Sequence, residues 1–133
     1  MQPGSDRLLI EEVRIFSQSD FDLFARLSGD ANPIHVDPVF AAASRFGATV
    51  AHGMLLFSAI RGLIARRFPG SRLLSQSLIF SAPVYAGETV VLQLQALSPP
   101  ASDRLRLAVA MIKVDGSQGL QGECLLRLAG EAA

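Results

Sequence analysis

The sequence predicts an α+β domain in which an antiparallel β-sheet wraps around one long buried helix. Three observations carry that expectation. The stretch "MLLFSAI" (54–60) is apolar on every side except Ser58, so the first two turns of a helix there are made for burial. "VVLQLQAL" (90–97) and "RLRLAVAMIKV" (104–114) alternate apolar and polar residues with period two, as half-exposed antiparallel strands do. Four β-patterned segments follow the helix, and a single sheet packed on one helix is the layer arrangement that buries both. At 133 residues the chain suits one domain, 1–133, with a core large enough to need no staples.

The elements can be justified in order. "LLIEEVRIFS" (8–17) reads as a first strand. "SQSDFDLFARLSG" (17–29) reads as a helix: Ser17 or Ser19 caps it, Asp20 and Asp22 suit the positive end of its dipole, and Gly29 stops it. Phe21, Phe24, Ala25 and Leu27 supply its apolar stripe. A second, short helix runs through "DPVFAAASRFG" (37–47), with Asp37 as N-cap and Pro38 at the first helical position. The third and central helix is "GMLLFSAIRGLIARRFPG" (53–70), closed by Pro69-Gly70. Strand patterns occupy 72–84, 88–98, 103–115 and 120–130, with turns at "YAGE" (85–88), "LSPPAS" (97–102) and "VDGSQG" (114–119). A single open sheet leaves its edges unpaired, and pairing two copies protects them, so a homodimer or a higher oligomer of it is expected.

Bulk composition narrows the class. Half of the residues are hydrophobic and mean hydropathy is +0.35, which suggests apolar surface used for an acyl-binding pocket, a subunit interface, or both. Twelve Lys and Arg balance twelve Asp and Glu, so the basic footprint of a nucleic-acid binder is missing. The lone cysteine, Cys124, excludes an intrachain disulfide and any cysteine-rich metal site, and fits a reducing cytoplasm. Asp6, Glu11 and Glu12 interrupt what a signal peptide would need as an apolar run. The longest charge-free stretch in the apolar middle, 47–60, is 14 residues, short of the ~20 that span a membrane. A soluble cytoplasmic domain, with neither nucleic acid nor membrane as partner, is the expectation.

The stretch "LSGDANPIHVDP" (27–38) carries the chemistry. Asp30, Asn32 and His35 fall within six residues, between a helix-stopping glycine and a helix-starting proline. Pro33 biases Asn32 toward extended backbone and sets the direction in which the chain leaves. A short connector held by helices at both ends can present Asp30 and His35 to one point in space. The same residues also suit plain turn chemistry, with Asp and Asn side chains folded onto backbone amides and His35 bonded to a carbonyl. His52-Gly53 then precede the buried helix, whose unpaired N–H groups and positive dipole end point outward. Gly53 lets a carbonyl oxygen approach its N–H closely, which suits a thioester oxygen gaining negative charge; close packing or capping would also account for it. His52, read alone, is structural.

The two stretches together, Gly29, Asp30, Asn32, Pro33, Ile34 and His35, then His52, Gly53 and Met54, resemble the hydratase motif of the MaoC-like dehydratases, the group containing R-specific enoyl-CoA hydratases. "FSAPVYAGETVVLQL" (80–94) also resembles that family's strand and turn, at Pro83, Val84, Gly87 and Glu88. The resemblance implies a single hot-dog fold and the syn addition of water to a trans-2-enoyl-CoA, giving the (R)-3-hydroxyacyl-CoA, and the reverse. It implies Asp30 and His35 as the catalytic pair, the Gly53 N–H as oxyanion donor, and Asn32 as a loop-shaping or water-orienting residue. No metal and no cofactor are implied; the thioester of CoA, or of an acyl carrier protein, is the substrate.

On that resemblance the central helix lines the acyl channel, so His52, Met54, Phe57, Ser58 and Arg61 are expected to meet substrate. Counting 100° per residue places Arg61 near Met54, Phe57 and Ser58. Arg61 either reaches solvent or a carboxylate of the protein, or meets the carboxylate of a diacid-derived chain of itaconyl or mesaconyl type. Arg66, Arg67 and Arg72 form a basic cluster that suits the phosphates of CoA or simply ends a helix. Two alternatives to the simple hydratase follow: a hydratase for a carboxylated or branched enoyl-CoA, and an acyl-thioester-binding partner subunit without activity of its own.

Overall fold

The computed structural model describes residues 8–97 and 102–130. Most of the expected turn at 97–102, and Asp6, lie outside the described residues. The elements run β1 (Leu9–Ile15), α1 (Gln18–Ser28), α2 (Pro33–Val36), α3 (Pro38–Ala42), α4 (Gly53–Arg67), β2 (Arg72–Ile79), β3 (Thr89–Ala96), β4 (Arg104–Lys113) and β5 (Gln118–Arg127). The five strands form one sheet in the order β1-β3-β4-β5-β2, every pairing antiparallel.

The alternation read in the sequence sets the inner face. Val90, Leu92, Leu94 and Ala96 of β3 are buried, and so are Leu105, Leu107, Val109 and Met111 of β4. Against them α4 lays Leu56, Phe57, Ile60, Leu63 and Ile64, packing on β3 and β5. Fully burying an aliphatic or aromatic side chain contributes roughly 1.5–3 kcal/mol, so this helix–sheet contact dominates the fold's stability. Burial is not complete at the start of α4. Met54 is half exposed and Ser58 is exposed, bonding back to the Leu55 carbonyl at 2.6 Å. The helix therefore shows one narrow face outward where an all-round buried turn is expected.

The other helices follow their caps. Ser17 begins α1 through a full capping box with Asp20, and Gly29 ends it with φ +80°, a left-handed conformation that costs glycine little. Leu27 is exposed, contrary to its place in the expected stripe, because it sits six residues past Phe21, about 240° around the helix. The helix expected over 37–47 stops after one turn, at Ala42, and 43–47 continue as turns. The connector between Asp30 and Val36 is not extended throughout: Pro33–Val36 coil into the single turn α2.

The loop from residue 80 to 88 is braced from below. Lys113, buried at the end of β4, donates to the Pro83 carbonyl at 2.6 Å, pairs with Glu88 at 3.2 Å and lies over the Tyr85 ring. Glu88 also accepts from the Tyr85 amide, and Tyr85 Oη donates to the Phe46 carbonyl. A buried ammonium is tolerated here because carboxylate and carbonyl both satisfy it. The acid at position 88 thus has a structural partner that the sequence pattern alone does not reveal.

Two stability tests follow. A Cβ at Gly122 of β5 would run into the Ser77 carbonyl oxygen of the neighbouring β2, so Gly122→Ala should cost about 3 kcal/mol or more in urea unfolding. Cys124 is fully buried on β5, and burial pushes its thiol up to about 11, with Arg61 pulling weakly downward. A thiol that ionises less readily folded than unfolded stabilises the fold below 9.0 and loses that contribution as pH climbs toward 11. Unfolding stability should therefore fall more steeply across that window in the wild type than in Cys124→Ala.

Candidate active site

Asp30 and His35 reach one place because four main-chain contacts hold the segment between α1 and α3. Asn32 is extended, as a residue before proline should be, and its Oδ1 accepts from the Ile34 amide at 3.1 Å to start α2. Gln18 of α1 donates to the His35 carbonyl at 2.9 Å and accepts from the buried Thr49 hydroxyl. The Val50 amide donates to the Ile34 carbonyl at 3.1 Å. His52 Nε2 meets the Asp30 carbonyl at 2.8 Å. Asn32 is thereby committed to shaping the loop.

One hydrogen bond sets which nitrogen of the His35 ring faces Asp30. Its Nδ1 lies 2.8 Å from the Val50 carbonyl, which can only accept, so in the neutral ring Nδ1 carries the proton and Nε2 presents a lone pair. That Nε2 is 3.9 Å from Asp30 Oδ2, with the imidazole mostly buried and the carboxylate over half exposed. Two acceptors at that separation do not bond each other; they frame a space for a molecule that donates to both.

His52 is buried and stacks on His35 with ring centroids 3.8 Å apart and planes 24° from parallel, while Phe24 packs on its other side at 4.9 Å. Its Nε2–H is used by the Asp30 carbonyl, and its buried Nδ1 has no hydrogen-bond partner among the described residues. The sequence expectation counts His52 among residues that meet substrate; its geometry makes it a brace for both members of the pair. Asp30, His35 and His52 offer three potential metal-ligand atoms within 4.8 Å of one another. The stacking opposes that use: nearly parallel rings send their in-plane lone pairs side by side, and a tetrahedral ion needs them to converge at about 2.0–2.1 Å.

Asp30, His35, His52 and Gly53 line one cavity of about 400 Å³, with Phe24, Met54 and Phe80 as its apolar walls. The Gly53 and Met54 amides at the start of α4 donate to no group among the described residues, so the positive end of a 15-residue helix opens on this cavity. Three expected contributors do not join it. Phe57 faces the core, Ser58 bonds to its own helix, and Arg61 is exposed and outside this cavity's lining. The 100° count puts them within one arc of α4, but the sheet divides that arc, taking Phe57 inward and leaving Ser58 and Arg61 outward. Phe24 and Phe80 were not expected here, since the first reads as core stripe and the second as strand.

A helix cradled by a five-stranded antiparallel sheet, with an acid and an imidazole on a loop overhanging the helix start, defines the hot-dog hydratase class. The model of the MaoC-like domain matches residues 2–113. The chain is 34% identical to an (R)-specific enoyl-CoA hydratase of Aeromonas caviae, over 85% of this chain and 87% of that protein. The solved structure of an A. caviae (R)-hydratase superposes with TM-score 0.86 at 32% identity, covering 92% and 95% of the two chains. An unliganded R-hydratase from Pseudomonas aeruginosa gives TM-score 0.87 at 33% identity, covering 93% and 81%. A mitochondrial 3-hydroxyacyl-[acyl-carrier-protein] dehydratase of Arabidopsis thaliana is 39% identical over 68% of this chain; the chain spans about half, 54%, of that relative's length. This chain belongs to the MaoC-like domain family.

The ring assignments are open to direct measurement. With two histidines in the sequence, long-range ¹⁵N–¹H spectra of the neutral protein should show one Nδ1–H and one Nε2–H tautomer. Substituting His52 should remove the Nε2–H pattern. Two Nε2–H rings would contradict the Val50 contact.

Proposed function

We propose that this protein hydrates trans-2-enoyl thioesters to (R)-3-hydroxyacyl thioesters and runs the reverse dehydration. The single observation that carries the reading is the pair of acceptors, His35 Nε2 and Asp30 Oδ2, 3.9 Å apart and facing a cavity that ends at unpaired helix amides. A water at hydrogen-bond distance from both would subtend about 90°, close to its own H–O–H angle. Held so, it donates one proton to each group and turns a lone pair toward the cavity.

The chemistry then balances within the cavity. The water oxygen bonds to C3 as one member of the pair takes its proton; the C2=C3 electrons move onto the thioester oxygen; the pair returns a proton to C2 from the same side. Net H–OH is added and the pair ends as it began. The enolate-like oxygen rests on the Gly53 N–H, and one such donor is worth about 10²–10³ in rate. Because the thioester itself accepts the electrons, the reaction as drawn asks for neither metal nor organic cofactor. The relatives named for enoyl-CoA hydration and hydroxyacyl dehydration support this chemistry, with CoA or a carrier protein as the acyl carrier. A homodimer in the cytoplasm completes the proposal: β1 and β2 each leave an edge unpaired among the described residues, and the lone cysteine fits a reducing compartment.

Asp30→Asn and His35→Ala should each lower kcat for crotonyl-CoA hydration by about 10³-fold, read from loss of enoyl absorbance, with circular dichroism unchanged. Full activity in either variant refutes the reading. Arg61→Ala should stay within about twofold of wild type on crotonyl-CoA and on a carboxylated enoyl-CoA, since Arg61 stands outside the cavity of the pair. A selective loss on the carboxylated substrate would restore the diacid alternative.

A further inference from the structure

The hydrogen bond that aims His35 is the last of a series, and the series begins at a buried ion pair. The Val50 carbonyl that takes the His35 Nδ1–H belongs to the same planar peptide as the Ala51 N–H. That N–H donates to the Val84 carbonyl at 2.8 Å. The Val84 carbonyl in turn shares its peptide plane with the Tyr85 N–H, which donates to Glu88 Oε1 at 3.0 Å. Glu88 Oε2 lies 3.2 Å from Lys113 Nζ, and Lys113 also donates to the Pro83 carbonyl at 2.6 Å. Two peptide planes thus connect a carboxylate to the imidazole, each held at both ends.

In a trans peptide the C=O and N–H point opposite ways, so fixing one end of the plane fixes the other. Val50 faces Tyr85 as an isolated antiparallel bridge, and its own N–H goes to the Ile34 carbonyl. Both main-chain groups of Val50 therefore serve the connector that carries Asp30 and His35. Val50 and Val84 are buried, so bulk solvent does not make good a broken link. Lys113 is buried as well, and neither it nor Glu88 lines the cavity of the pair. A buried ion pair is a poor stabilising device, since apolar side chains of similar size often serve as well. What apolar side chains lack is an acceptor for the Tyr85 amide and a donor for the Pro83 carbonyl.

Building on the hydratase reading, we propose that Glu88, held by Lys113, is a positioning residue for His35. It fixes the 84–85 peptide plane, that plane fixes the 50–51 plane, and the Val50 carbonyl then keeps the proton on Nδ1 and turns Nε2 toward Asp30. The bonds also polarise one another in one direction, from imidazole N–H toward carboxylate. The Val50 carbonyl is thereby a stronger acceptor than an isolated amide.

The test compares wild type with two double variants, Glu88→Ala/Lys113→Met and Glu88→Gln/Lys113→Met. Neither buries an unpaired charge, and the glutamine keeps an oxygen for the Tyr85 amide. In the alanine form, long-range ¹⁵N–¹H spectra should show a second His35 species with the proton on Nε2. Its kcat for crotonyl-CoA should fall by about tenfold to 10²-fold, with KM within about twofold of wild type. The glutamine form should recover the single Nδ1–H species and most of the lost turnover. A folded alanine form in which His35 stays wholly Nδ1–H overturns the proposal, and so does a tautomer shift of the same size in both forms. Should the alanine form not fold, amide exchange in the wild type decides. The Ala51 and Tyr85 amides should exchange at a common slow rate, and an Ala51 amide about 10²-fold faster overturns the series. The tautomer is read without substrate, which separates the two proposals. A wild type that does not hydrate crotonyl-CoA, with the tautomer shifting as expected, sinks hydration and leaves the positioning role standing. Hydration intact with an unmoved tautomer sinks the positioning role alone.

Discussion

The contact between His35 Nδ1 and the Val50 carbonyl is the constraint on which the site depends. A carbonyl oxygen can only accept, so it decides which ring nitrogen keeps its proton and which is left bare toward Asp30. Remove the bond and the stacking on His52 still holds the ring plane, but nothing decides which nitrogen faces Asp30. The main chain of Val50 is itself fixed on both sides, by its amide to Ile34 and by its bridge to Tyr85. The orientation of a functional side chain is thereby set by backbone, which is stiffer than any pair of side chains.

Around this contact the fold supplies rigidity from three directions. α1 contributes Gln18, which grips the His35 carbonyl; α4 contributes its exposed amides and His52; the 80–88 loop contributes Phe80 and is pinned by Lys113. None of these elements adjoins another in sequence. They meet because the sheet order β1-β3-β4-β5-β2 sends the chain across the helix start twice, once before α4 and once after β2.

How much of this was legible in the sequence depends on the range of the interaction involved. Local signals are legible: Ser17 and Gly29 bound α1, Asp37 and Pro38 open α3, and the alternation of β3 and β4 marks their buried face. The Asp30–His35 approach is legible too, since the eight residues between the Gly29 stop and Pro38, with Pro33 among them, leave few conformations. Long-range facts were not. Nothing near Leu27 says that the stripe has turned away from the core, and nothing near Arg61 says on which side the sheet lies. Phe80 looked like one more strand residue because its partner, Gly53, is far away in sequence and has no side chain to advertise the contact. His52 was placed at the right end of the right helix, yet its stacking partner follows from tertiary packing alone.

The ring of Phe80 resting on Gly53 has a consequence for how such a protein can diversify over generations. A Cβ at 53 would press on three carbons of that ring, which would have to shift by a few tenths of an ångström to admit it. Position 80 is itself half exposed. Its neighbours are anchored elsewhere, leaving the aromatic side chain free to vary in size. The size of the side chain at 80 can then change without moving the backbone contacts that hold Asp30 and His35.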